Sequence, residues 1–157
     1  MIYVFDNNSM RVISHYYPER FPTFWKQFDA AVADASVVSV REVYNELINW
    51  GAAQEWFADW IRGHRSMFLV PAPNETLFVA EIFKVPHFRT LVGGIQQLKG
   101  QPVADPFLIA CAKARGGTVV TEEGSKPNAA KIPNICEHFG VSCTNVEGFL
   151  TASGWRF

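Results

Sequence analysis

The sequence contains no CxxC pair, no apolar run long enough to span a membrane and no large excess of either charge. Each absence removes a class of protein. Cys111, Cys136 and Cys143 are an odd number without ligand-like spacing, so free thiols are expected, with neither a disulfide framework nor structural zinc. The longest apolar stretches, such as Phe107 to Ala112, fall far short of the roughly 20 residues of a membrane helix. The opening Ile2-Tyr3-Val4-Phe5 lacks the basic start, apolar run and cleavage site of a secretory leader, so a cytoplasmic location is expected. No G-x-G-x-x-G follows the first apolar run, which removes a dinucleotide-binding module. His15, His64, His87 and His138 share no metal-binding spacing.

What is present fits a globular chain. Hydrophobic residues make up 48% and charged residues 18% of 157 residues, enough for one domain over 1–157 with its own core. The net charge of −1 lacks the basic footprint of a general nucleic-acid binder, but it averages two unlike halves. Residues 1–83 carry six Lys/Arg against ten Asp/Glu, and residues 84–157 carry eight against five. The second half is therefore the better candidate for holding a polyanion.

Residues 2–5 read as a buried strand ending in the polar Asp6-Asn7-Asn8-Ser9. A helix is expected from Phe21 to Ala33, a strand over Ser36 to Val40, and helices around Val43–Trp50 and Trp56–Ile61. Met67 to Val70 suggests a short strand and Leu77 to Phe83 a helix, with a looser connection through Gly93-Gly94 and Gly100. Asp105-Pro106 reads as an N-cap and first helical position, and Gly116-Gly117 as the stop. Thr118 to Thr121 is a strand delivering Glu122-Glu123, followed by a small helix around Ile135–Phe139 and a strand near Val141–Thr144. Strands alternating with helices imply an α/β three-layer sandwich on a mainly parallel sheet, whose ligands collect at the carboxyl ends of the strands.

Four acidic positions fall where that topology gathers side chains: Asp6, Glu46, Asp105 and Glu122-Glu123. Converging carboxylates repel unless cations intervene, and hard divalent ions prefer oxygen ligands. Hydrolysis of a phosphodiester is the natural chemistry for such a centre.

The segments 4–9 (VFDNNS), 38–47 (VSVREVYNEL), 104–112 (ADPFLIACA) and 119–123 (VVTEE) resemble, in order, the four acidic motifs of the PIN-domain family, which includes the VapC-type toxins. The family's usual aspartate is replaced by Glu123, and its usual threonine or serine after the first aspartate by Asn7. The resemblance implies a PIN-like fold and a ribonuclease using Mg2+ or Mn2+. It further implies that Asp6, Glu46, Asp105 and Glu123 are catalytic and hold the metal, supported by Ser9, Thr121 and Glu122. Arg41 and Lys126 are the candidate RNA contacts. RNA is the implied substrate; an antitoxin protein and a second copy of the chain are the candidate partners, and no membrane is.

Each acid also has a plain structural reading: Asp105 as a cap, Asp6 as a turn residue, Glu46 as a solvated helix residue and Glu122-Glu123 as an exposed turn. Their shared order favours a common site. A catalytically decayed PIN-like module that binds RNA or protein is the alternative. An aspartyl-phosphate phosphatase fits less well, because its second acid would fall on Asn8. Trp56, Phe57 and Trp60 have the spacing of a buried face, and Cys111 lies in an apolar helix core.

Overall fold

The computed structural model describes residues 1–91 and 103–157; the expected loose connection through Gly93-Gly94 and Gly100 lies outside them. The strands are β1 (Tyr3–Phe5), β2 (Val37–Val40), β3 (Phe68–Leu69), β4 (Thr118–Val120) and β5 (Ser142–Thr144). The described helices are α1 (Asn7–Ile13), α2 (Pro22–Ala33), α3 (Arg41–Ile48), α4 (Glu55–Gly63), α5 (Pro73–Lys84), α6 (Ala104–Arg115), α7 (Ile132–Phe139) and α8 (Val146–Ser153).

All strand pairs are parallel, in the order β3-β2-β1-β4-β5. Every residue of β2 and of β4 is buried, as covered parallel strands require when both faces lie under helices. Val4 pairs with Val38 on one side and Val119 on the other, so the order reverses at the β1–β4 boundary. A crevice opens beyond the strand ends at such a switch.

Phe5 meets Phe28 of α2 edge-on at 5.5 Å and Phe149 of α8 at 5.1 Å, joining both helices to the central strand. Helix α6 buries Leu108 through Ala112 in succession, so it lies inside the core rather than on its surface. Trp25 meets Trp56 and Trp60 at 5.3 Å each, which docks α4 on α2 and makes the tryptophans part of the packing.

Two expectations need correction. Asp105 does not cap α6: Val103 precedes the helix, Ala104 begins it, and no side chain caps its N-terminus. The carboxyl group instead lies in the field of Glu123, Glu46 and Asp6. Helix α8 was not expected, although Asn145 accepts a hydrogen bond from Gly148 N at 2.8 Å and Gly154 ends the helix in the left-handed region, both legible signals.

At the end of α6, Gly116 has φ +62°, with open space around its α-carbon, whereas a Cβ on Gly117 would stand 2.8 Å from the Ile2 carbonyl oxygen. That carbonyl accepts from Thr118 N at 2.8 Å and anchors the β1–β4 pair. Gly117→Ala should therefore cost about 2–3 kcal/mol and Gly116→Ala about 1 kcal/mol, read by urea unfolding. Equal costs would show that β1 yields at this point.

Candidate active site

Asp6 follows β1 directly and is 3% exposed. Its backbone N–H donates to Val120 O at 3.0 Å, which carries the β1–β4 pairing one residue further. Its Oδ1 accepts from Ser9 N at 2.7 Å, capping α1, and its Oδ2 accepts the Thr121 hydroxyl. The Ser9 hydroxyl donates to Val120 O at 3.0 Å and that of Ser39 to Phe5 O at 2.6 Å, so neighbouring strands brace the position. Burial pushes the Asp6 carboxyl up to about 6 against the opposing effect of these hydrogen bonds.

Asp105 lies in the first turn of α6, and burial followed by the charges of Glu123, Glu46 and Asp6 pushes its carboxyl up to about 7. Lys131 acts in the opposite direction. The four acids thus come from four separate segments into one field. Glu46 accepts a hydrogen bond from Asn7 Nδ2, which ties α3 to the start of α1.

Glu122 and Glu123 diverge. Glu123 adds its charge to both Asp6 and Asp105, while its Oε2 accepts from Ile132 N at 2.9 Å and stoppers α7. Glu122 turns the other way and accepts from Val146 N at 2.8 Å, stoppering α8. Each carboxylate meets an N–H that a helix leaves without an internal partner.

The two expected RNA contacts are not drawn in. Arg41 pairs with Glu42 at 2.8 Å, and Lys126 is exposed on the loop after β4. Sequence reasoning overlooked Lys131, Glu42 and Arg11. Glu42, 2% exposed, lies one turn before Glu46 on α3, a spacing visible in the sequence. Among the described residues no three His, Cys, Asp or Glu side chains are grouped so that they could hold one metal ion together. The donors available are hard oxygens, suited to an ion that takes one or two carboxylates and completes its shell with water.

Raised carboxyl pKa values bear on stability with a definite sign. Asp6 and Asp105 start from 3.8, so their protonated forms favour folding fully below about pH 4, and that contribution is lost as pH rises through about 6 and about 7. Without metal, Asp105→Asn should therefore stabilise the chain at pH 8 by on the order of 2 kcal/mol and change little at pH 4. Thermal unfolding at both pH values checks this; equal effects would remove the charge crowding.

Known structures share the architecture. A protein from Pyrobaculum aerophilum superposes with a TM-score of 0.52 at 15% identity, covering 97% of this chain and 88% of that one. The VapBC complex of Salmonella typhimurium, solved bound to DNA, gives 0.54 at 18% identity over 92% and 98%. VapBC2 of Rickettsia felis, bound to a DNA fragment from its promoter, gives 0.49 at 15% over 92% and 98%. At such identities the first two establish likeness of fold alone, and the fold is α/β and PIN-like. No curated protein matches the chain. The match over residues 3–157 identifies the family: the chain belongs to that described as Domain of unknown function (DUF4411).

Proposed function

We propose that the chain is a divalent-metal-dependent endoribonuclease acting at the crevice between β1 and β4. The observation that carries this reading is the gathering of Glu123, Glu46 and Asp6 around Asp105, whose charges add to burial in raising its carboxyl to about 7. Mutual repulsion of that kind is relieved by a cation, and the donors are oxygens of the kind Mg2+ and Mn2+ prefer. Asp6 and Asp105 would hold the ion, with Glu46 and Glu123 completing the acidic ring directly or through water. The bound ion would lower the pKa of water to supply hydroxide and would neutralise charge on the attacked phosphate.

The chain's own residues account for the rest. Thr121 and Ser9 each hold one oxygen of Asp6, which fixes the orientation of its carboxyl group. Asn7 holds Glu46 by its side-chain amide. Lys131 brings positive charge beside Asp105, where a substrate phosphate needs it. An RNA strand is favoured over duplex DNA because the second half's modest excess of cations suits local strand capture. The role of toxin, with an antitoxin protein as partner, is supported by the PIN resemblance and the VapBC-like fold; a small repressor-like reading frame beside the gene would favour it.

Asp6→Asn and Asp105→Asn should fold yet lose about 100-fold or more of RNA cleavage in Mg2+ or Mn2+. Mn2+ should also raise the unfolding temperature of the parent protein at pH 8 and have little effect on Asp105→Asn. Full cleavage by both variants would remove the acidic centre. A parent protein that binds no divalent ion would instead favour a decayed binding module.

The two adjacent glutamates give a separate test. Cleavage should fall far more for Glu123→Gln than for Glu122→Gln, because only Glu123 acts on Asp6 and Asp105. Loss of α8 helicity in Glu122→Gln with cleavage intact would agree with the geometry. The reverse ranking would overturn the assignment of Glu123.

A further inference from the structure

Helices α1 and α3 meet in two successive rungs. Asn7 bonds Glu46 in the first; in the second, Arg11, one turn further along α1, places its guanidinium over the ring of Trp50, just past the end of α3, at 4.6 Å from its centroid. One helical turn is about 5.4 Å, so the Arg11 rung is the neighbour of the rung that holds Glu46.

Arg11 differs from the other arginines near buried acids. Arg41 is paired with Glu42 and Arg115 with Glu75, whereas half-buried Arg11 has no carboxylate partner among the described residues. Its Nε is sealed from water without an acceptor, and Asn7 Oδ1, one turn earlier on the same helix face, is sealed without a donor. The two unmet groups are complementary donor and acceptor, so a small side-chain rotation would let Asn7 brace the guanidinium while Trp50 holds its plane. Both restraints would leave the terminal nitrogens for an outside anion. A partly desolvated cation lacking a counter-charge favours such a ligand.

We infer that Arg11, held by Trp50 and Asn7, binds a phosphate of the RNA strand next to the one being cleaved. This rests on the ribonuclease reading above and adds a contact that neither Arg41 nor Lys126 supplies. The planar fork of arginine suits two phosphate oxygens, and the indole limits its motion.

The test measures binding of a fluorescent single-stranded RNA dodecamer across a range of KCl concentrations, with Mn2+ affinity and unfolding temperature as controls. Arg11→Gln should weaken RNA binding about tenfold at low salt and reduce the salt slope by about 0.7, the amount for one lost contact to a single strand. KM for cleavage should rise with kcat nearly unchanged, and Mn2+ affinity should stay as in the parent. Arg11→Lys should keep the slope with part of the affinity, and Trp50→Phe should keep more than Trp50→Leu, since a ring still supports the cation. An unchanged slope in Arg11→Gln would overturn the inference. So would loss of Mn2+ affinity or of folding without loss of RNA binding, which would make Arg11 a prop of the acidic site. A parent protein that cleaves RNA while these variants bind it normally overturns this contact alone; a parent that neither binds nor cleaves RNA overturns the ribonuclease reading as well.

Discussion

Burial of the Asp6 carboxylate is the constraint on which the rest of the site depends. A carboxylate at 3% exposure is costly unless its oxygens are met, and here they are met by the N-terminus of α1 and by Thr121 after β4. Those bonds hold the strand, the following helix and the neighbouring strand end in a fixed relation. The junction of β1 with β4 is thus pinned by the carboxyl group that those bonds shelter. Because burial outweighs the hydrogen bonds, the site is left in electrostatic tension that an ion of opposite charge would relieve.

Glu123 shares that tension. Its carboxylate serves the N-terminus of α7 and the acidic crevice together, and its chain is one methylene longer than an aspartate's. That length lets it reach the Ile132 N–H from the loop after β4. A shorter acid at this position would have to give up the helix or approach the crevice by moving the backbone. The Glu-for-Asp departure is therefore tied to a specific hydrogen bond in this chain.

Much of the fold was legible because its strands are short apolar runs and its helices carry strong punctuation. The run 2–5 before Asp6, the valines of β2 and Gly116 after α6 all signal locally what the tertiary structure uses. Asp105 was misread for the opposite reason. Asp-Pro is a sound capping signal by itself, but here the helix begins one residue earlier, at Ala104, which puts Asp105 inside the first turn and in the field of Glu123, Glu46 and Asp6. The pairing of Arg41 with Glu42 likewise depends on context, because it follows from the burial of Glu42 in the fold. Arg11 carried no local signal, since its importance comes from what is missing around it in space.

The parallel pairing of β1 with β4 also sets a timetable. Tyr3 lies opposite Thr118, so the central strand waits for more than a hundred residues of chain before one of its two neighbours exists. Asp6 cannot acquire its Thr121 partner, nor Asp105 the field of Glu123, until the loop after β4 has left the ribosome. The order of synthesis therefore keeps these acids apart in the nascent chain until the segment after β4 has emerged.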